Sequence, residues 1–170
     1  MSAHGRFLAA EAACRDGDMA AFRAALGDPE DFPNTLLPAE FMGLGDRPIF
    51  IALIHGGPDF LRALLALGAD PNIEATDGFP SLHGAIDSPR PDRHALLRVL
   101  LEHGADPNAQ RGINDGTPLH HAVWRRDLDA LRILLAHGAD RGLRTRIDDL
   151  STPLEEAEAI GFAEAVALLR

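Results

Sequence analysis

The chain has 170 residues, 46% of them hydrophobic and 25% charged, which suits one folded domain with a real apolar core. Its formal net charge of −10 opposes non-specific attraction to phosphate backbones and anionic membranes, so neither nucleic acid nor membrane is expected as a partner. A single cysteine, Cys14, excludes a disulfide framework and a thiolate metal cluster. It fits a reducing compartment, where it reads as small core filler.

No stretch approaches the roughly 20 apolar residues of a membrane span, and residues 1–8 lack the apolar segment of a secretory leader. A cytoplasmic, monomeric protein is expected. All 16 basic residues are arginine and none is lysine, a bias that points to a GC-rich, bacterial coding sequence. Residues 1–85 hold 5 arginines against 12 acids and residues 86–170 hold 11 against 14, so the C-terminal half is closer to neutral.

Along the chain, an apolar helical run around Ala13 breaks at Gly17 and resumes as MAAFRAAL at 19–26. A Pro-rich stretch, 28–46, follows; its apolar residues Phe32, Leu36, Leu37, Phe41 and Met42 read as packing against the runs on either side rather than as a recognition loop. Two phrases then alternate. RPIFIAL (47–53) precedes LLALGADPN (64–72), PSLHGAI (80–86) precedes LLEHGADPN (100–108), and TPLHHAV (117–123) precedes LLAHGADRG (134–142). TPLEEAE (152–158) opens a last copy. The marker alanines Ala52, Ala85, Ala122 and Ala157 are spaced 33, 37 and 35 apart, and the extra residues of the middle step include Ser88-Pro89-Arg90-Pro91, which lengthen a turn between two helices.

Local chemistry makes each copy a helical hairpin. Thr117 and Thr152 can cap a helix with their hydroxyls, and Pro118 and Pro153 then stand at the first helical position, where a missing N–H costs nothing. Gly68, Gly104 and Gly138 follow runs with apolar i, i+3, i+4 spacing and can take the left-handed conformation that ends a helix. Asp70, Asp106 and Asp140 suit the turn that follows.

These phrases resemble the ankyrin repeat, in which a T-P-L-H-x-A helix start, a second helix and a G-A-D turn recur about every 33 residues. The resemblance implies an all-α solenoid over one domain, 1–170, with units near 5–37, 45–74, 75–110, 111–145 and 146–170. A lone hairpin exposes its leucine face, so neighbours must stack to bury it, and the first and last copies read as caps with no further unit missing. Arg47 and Phe50 stand where the family has threonine and histidine, and Glu155 replaces the last histidine.

Catalysis is not expected. His83 and His120 match the motif histidine, which the resemblance makes a structural link to a neighbouring loop. His120 and His121 project about 100° apart on a helix, and no zinc-ligand spacing, P-loop, nucleophile elbow or dinucleotide fingerprint occurs. No cofactor, no metal and no catalytic residue are predicted. The resemblance implies instead a protein partner held in a concave groove by Ile54, His55, Asp87, Trp124 and Arg125 on first helices and by Asp77, Phe79, Arg111, Ile113, Arg144 and Arg146 at hairpin tips. Trp124 is expected to stand exposed in a locally cationic strip, since Trp and Arg dominate binding hot spots. Two alternatives remain: an immunity or chaperone-like protein neutralising a basic partner such as a toxin, and an enzyme or metal-binding protein.

Overall fold

Ten helices, none longer than 14 residues, make up the described parts of the chain: α1 (Ala3–Asp16), α2 (Met19–Ala25), α3 (Pro48–His55), α4 (Pro58–Ala66), α5 (Ser81–Asp87), α6 (Arg93–Glu102), α7 (Pro118–Trp124), α8 (Leu128–Ala136), α9 (Pro153–Ala159) and α10 (Ala163–Leu169). They come from a computed structural model that describes residues 3–38, 47–76, 78–111, 115–147 and 150–170. Helices this short are marginal alone, so their stability comes from neighbours. Odd-numbered helices pack on one another in sequence to form one layer, and even-numbered helices form a second. The seam between them holds Ile49, Leu53, Leu61, Leu64, Leu96, Leu97, Leu100, Leu119, Leu131 and Leu134, all essentially inaccessible. None of the described helices is long and apolar enough to cross a membrane.

The helix ends follow the expected chemistry. Thr152 Oγ1 accepts the Glu155 N–H at 3.2 Å while Glu155 Oε2 accepts the Thr152 N–H at 2.7 Å, a reciprocal capping box. Gly68, Gly104 and Gly138 lie at φ 96°, 93° and 86°. Ahead of two of them His103 and His137 donate from Nδ1 to the Val99 and Ile133 carbonyls, each at 2.8 Å, which engages two carbonyls of the last turn.

The asparagine of each G-A-D-P-N phrase ties its unit to the next. Asn72 donates from Nδ2 to the Gly104 carbonyl (3.0 Å) and accepts the Asp106 N–H (2.7 Å), and Asn108 does the same with Gly138 (3.2 Å) and Asp140 (2.7 Å). Asn34, inside the Pro-rich stretch, makes the matching pair with Gly68 (2.9 Å) and Asp70 (2.8 Å). That stretch is therefore a structural loop as far as it is described. Leu37 is buried and Phe32 packs edge-on to Phe22, while Leu36 is exposed; Phe41 and Met42 lie outside the described residues.

Where the motif departs, other groups take over. Arg47 donates from Nε to the Glu74 carbonyl and from Nη1 to the Asn34 carbonyl, both at 2.9 Å, so it braces the loops on either side. The lengthened turn grips the preceding unit: Ser88 Oγ donates to the Leu53 carbonyl (2.6 Å) and Arg90 Nη1 to the His55 carbonyl (3.1 Å). Cys14 is buried and desolvation pushes its thiol up to about 12, which keeps it protonated and inert.

Candidate functional site

The first helices and the hairpin loops between units share one face, and most of the predicted binding residues lie there. Ile54 at the end of α3, Asp87 at the end of α5 and Phe79 on the hairpin before α5 border a single cavity of about 330 Å³. Phe79 also packs edge-on to His83 and His121, with ring centroids 5.8 Å away in each case. His55 is half-buried, with Nδ1 3.6 Å from Glu11 Oε1. Burial lowers its pKa against the pull of Glu11. Arg111 and Arg146 help line a larger, more polar cavity of about 870 Å³ beneath the loops. Asp77 and Ile113 lie outside the described residues.

Two expectations need correction. Trp124 is half-buried rather than exposed: its ring lies against Gly116, where an added Cβ would stand 2.7 Å from Cη2, and its Nε1–H donates to Glu156 Oε2 at 3.1 Å. The cationic strip is largely neutralised. Arg111 pairs with Glu74, Arg125 with Asp87 and Arg144 with Glu155, while Arg146 makes no ion pair with any described residue. Two of the three partners lie 37 and 38 positions away along the chain, separations that a local pattern does not reveal.

Asp87 receives two side chains of the following unit. His121 Nε2 donates to its Oδ1 at 3.0 Å, and Arg125 Nε donates to the same oxygen. Burial alone would raise the carboxyl, yet His121 and Arg125 outweigh it and hold Asp87 below the usual carboxylate range. His83, 2% exposed, has neither ring nitrogen bonded to a described residue. Its ring centroid lies 4.4 Å from that of His121, and burial first, then His121, push its pKa down to about 3. Among the described residues no group of three or more His, Cys, Asp or Glu is placed to hold a metal ion.

A second polar cluster escaped the sequence reading. Asp127 caps α8 by accepting the Ala130 N–H at 3.0 Å, and it receives Arg93 Nη2 at 3.0 Å and His94 Nε2 at 2.9 Å from the preceding unit. Burial acts to raise its pKa, but these donors hold it low. The signal available was Asp127 itself, an acid directly before the apolar run of α8.

Paired short helices stacked through buried leucines and tied loop to loop define a helical-repeat protein. Residues 82–135 match the family model for ankyrin repeats (many copies). Over 119 residues, 68% of this chain and 50% of the relative, it is 40% identical to Protein PhlB of Serratia liquefaciens. Over 101 residues, 56% of this chain and 29% of the relative, it is 36% identical to a putative ankyrin repeat-containing protein of Treponema pallidum (strain Nichols). The chain belongs to the ankyrin-repeat family. It spans half or less of the length of these curated relatives.

Proposed function

We propose that the protein is a non-catalytic, monomeric binding module that holds one protein partner on the face built from its first helices and hairpin loops, without cofactor, nucleic acid or membrane. Ankyrin repeats are in general protein-binding modules. The observation that carries the reading here is the convergence of Ile54, Phe79 and Asp87, from two units and a hairpin, around one surface cavity. A repeat array has no single enclosed core pocket, so specificity falls to such surface positions. A buried, protonated cysteine fits a cytoplasmic setting.

The test is affinity capture from the native host, then calorimetric titration of the captured protein against Ile54→Arg. The expected result is at least about tenfold weaker binding with an unchanged melting temperature. Unaltered affinity would remove this face from the interface.

A second reading, a chaperone-like or immunity protein that neutralises a basic partner, is favoured by the net charge of −10. Association with such a partner is expected to slow steeply with added salt, as steered encounters do.

A further inference from the structure

The face has a rung missing. In α3, α5, α7 and α9 the residue just before the marker alanine, Ile51, Gly84, His121 and Glu156 in turn, is followed three places later by Ile54, Asp87, Trp124 and Ala159. At two successive junctions the earlier position of one helix bonds the later position of the helix before it: His121 to Asp87 at 3.0 Å, and Glu156 to the Trp124 Nε1–H at 3.1 Å. At the α3–α5 junction the same place belongs to Gly84, which has no side chain to offer Ile54. A Cβ there would stand 3.2 Å from the Phe50 ring and 3.3 Å from Leu53 Cδ1. The space left over is the cavity of about 330 Å³ between Phe50, Leu53, Ile54, Phe79, Gly84 and Asp87.

Its chemistry is lopsided. The walls are mostly aromatic and aliphatic; of the two polar lining residues, Ser88 donates its hydroxyl to the Leu53 carbonyl, and Asp87 takes both His121 and Arg125 on Oδ1 while its Oδ2 accepts from no described residue. The Asp87 side chain keeps 25% of its surface exposed. A purely apolar occupant would cover a carboxylate oxygen without giving it a donor, which is unfavourable. An acidic occupant would be repelled. Lysine and arginine side chains combine an apolar stem with a cationic donor, an aromatic wall attracts the cation further, and the chain's net charge of −10 draws basic segments towards it.

We propose that this cavity seats a lysine or arginine side chain from a basic segment of the protein partner, its methylenes against Phe50, Leu53, Ile54 and Phe79 and its head group donating to Asp87 Oδ2. The inserted side chain supplies the rung that Gly84 omits. This proposal rests on the groove-face reading above and adds to it the chemistry of one partner residue.

The experiment follows the Ile54 and Leu53 methyl resonances of the full chain by NMR during titration with Nα-acetyl-lysine methylamide and Nα-acetyl-arginine methylamide, with Nα-acetyl-norleucine methylamide as the uncharged stem. The cationic probes are expected to give saturable shifts at Ile54 and Leu53, with norleucine about tenfold weaker, as loss of one charge-assisted hydrogen bond implies. Asp87→Asn should weaken the cationic probes similarly and leave norleucine unchanged. Equal binding of norleucine would make the cavity a plain apolar anchor and overturn the proposal, as would the absence of saturable shifts with either cation. The probe comparison uses the unaltered chain and so does not depend on how the variant folds. Failure here leaves the groove-face reading standing whenever Ile54→Arg still weakens the captured partner.

Discussion

His83 and His120 occupy the same motif position in consecutive units and meet different surroundings. His120 Nε2 donates to the Ser151 carbonyl at 2.9 Å and its Nδ1 accepts the Thr117 N–H at 3.1 Å, which fixes a neutral tautomer shared between two units. In the unit before, Pro80 stands where Thr117 stands and has neither N–H nor hydroxyl to give, so Nδ1 of His83 lacks the partner that His120 has, and its Nε2 has no described partner either. Desolvation pushes its pKa down to about 3. The folded value lies below the unfolded one of about 6.5, so the stability at stake is present above pH 6.5 and is lost as pH falls from there towards 3, by up to about 1.4 kcal/mol per pH unit. Burial lowers His120 in the same direction. Melting temperatures between pH 8 and 4.5 should therefore fall below pH 6.5, and His83→Leu should flatten that slope; parallel curves for the two proteins would exclude His83 as its cause. Asp87 and Asp127, held below the usual carboxylate range, act elsewhere. Their stability is present above about pH 4 and goes only at lower pH. Backbone conformation makes a second prediction at this scale: Gly138 lies at φ 86° with open space where a Cβ would go, so Gly138→Val should cost about 1–2 kcal/mol through conformation alone. A melt showing no loss would contradict that assignment.

For the elements, the asparagine ladder matters more than any single cap. Asn72 holds the next unit's loop through two hydrogen bonds, each with a net value of about 1 kcal/mol, and Asn72→Ala should lower stability by about 1–2 kcal/mol. Denaturant titration should show a lower midpoint; an unchanged midpoint would mean that stacking, not the ladder, sets the register of the loops. Helix starts at Thr117 and Thr152, stops at Gly68, Gly104 and Gly138 and the apolar faces were all readable from sequence, because each rests on neighbours within one turn. The ladder was half legible: the G-A-D-P-N phrase was plain, but Asn34 was hidden in a stretch without that phrase, and Gly142 ends the series where no G-A-D turn follows. The groove side chains were the least legible. Trp124 meets Glu156 32 positions on, Arg125 meets Asp87 38 positions back, and nothing in a local window distinguishes an arginine with such a partner from a free one. The cavity at Gly84 left only a faint trace, a glycine where the next two copies have His121 and Glu156.

Across the whole array, units linked only to their neighbours should lose stability locally when one junction is cut. The junction between the fourth and fifth units is the clearest place to look, because α7 and the turn after it send three side chains forward across it. His120 Nε2 bonds the Ser151 carbonyl at 2.9 Å, Trp124 Nε1 bonds Glu156 at 3.1 Å and Arg126 Nη1 bonds the Ile160 carbonyl at 3.0 Å. Among the described residues, α9 packs on α7 and α10 on α8 across this junction. His120→Ala removes a buried link to the Ser151 carbonyl and leaves the buried Thr117 N–H without its acceptor, at a cost of about 1–3 kcal/mol. Trp124→Ala removes the indole from Gly116 together with its bond to Glu156, and should cost about 1–2 kcal/mol for a half-buried aromatic. In both variants hydrogen exchange should speed up most in α9 and α10, then in α7 and α8, while α3 to α6 keep their protection. Trp124→Phe, which retains the ring contact, should show a smaller version of the same pattern. If instead protection falls equally in all helices, the five units unfold as one block and the nearest-neighbour description is wrong for this chain. The same data decide what Trp124 does: a variant that frees α9 and α10 identifies it as a bolt between units, and any effect on partner binding then follows from the moved loop rather than from a lost contact.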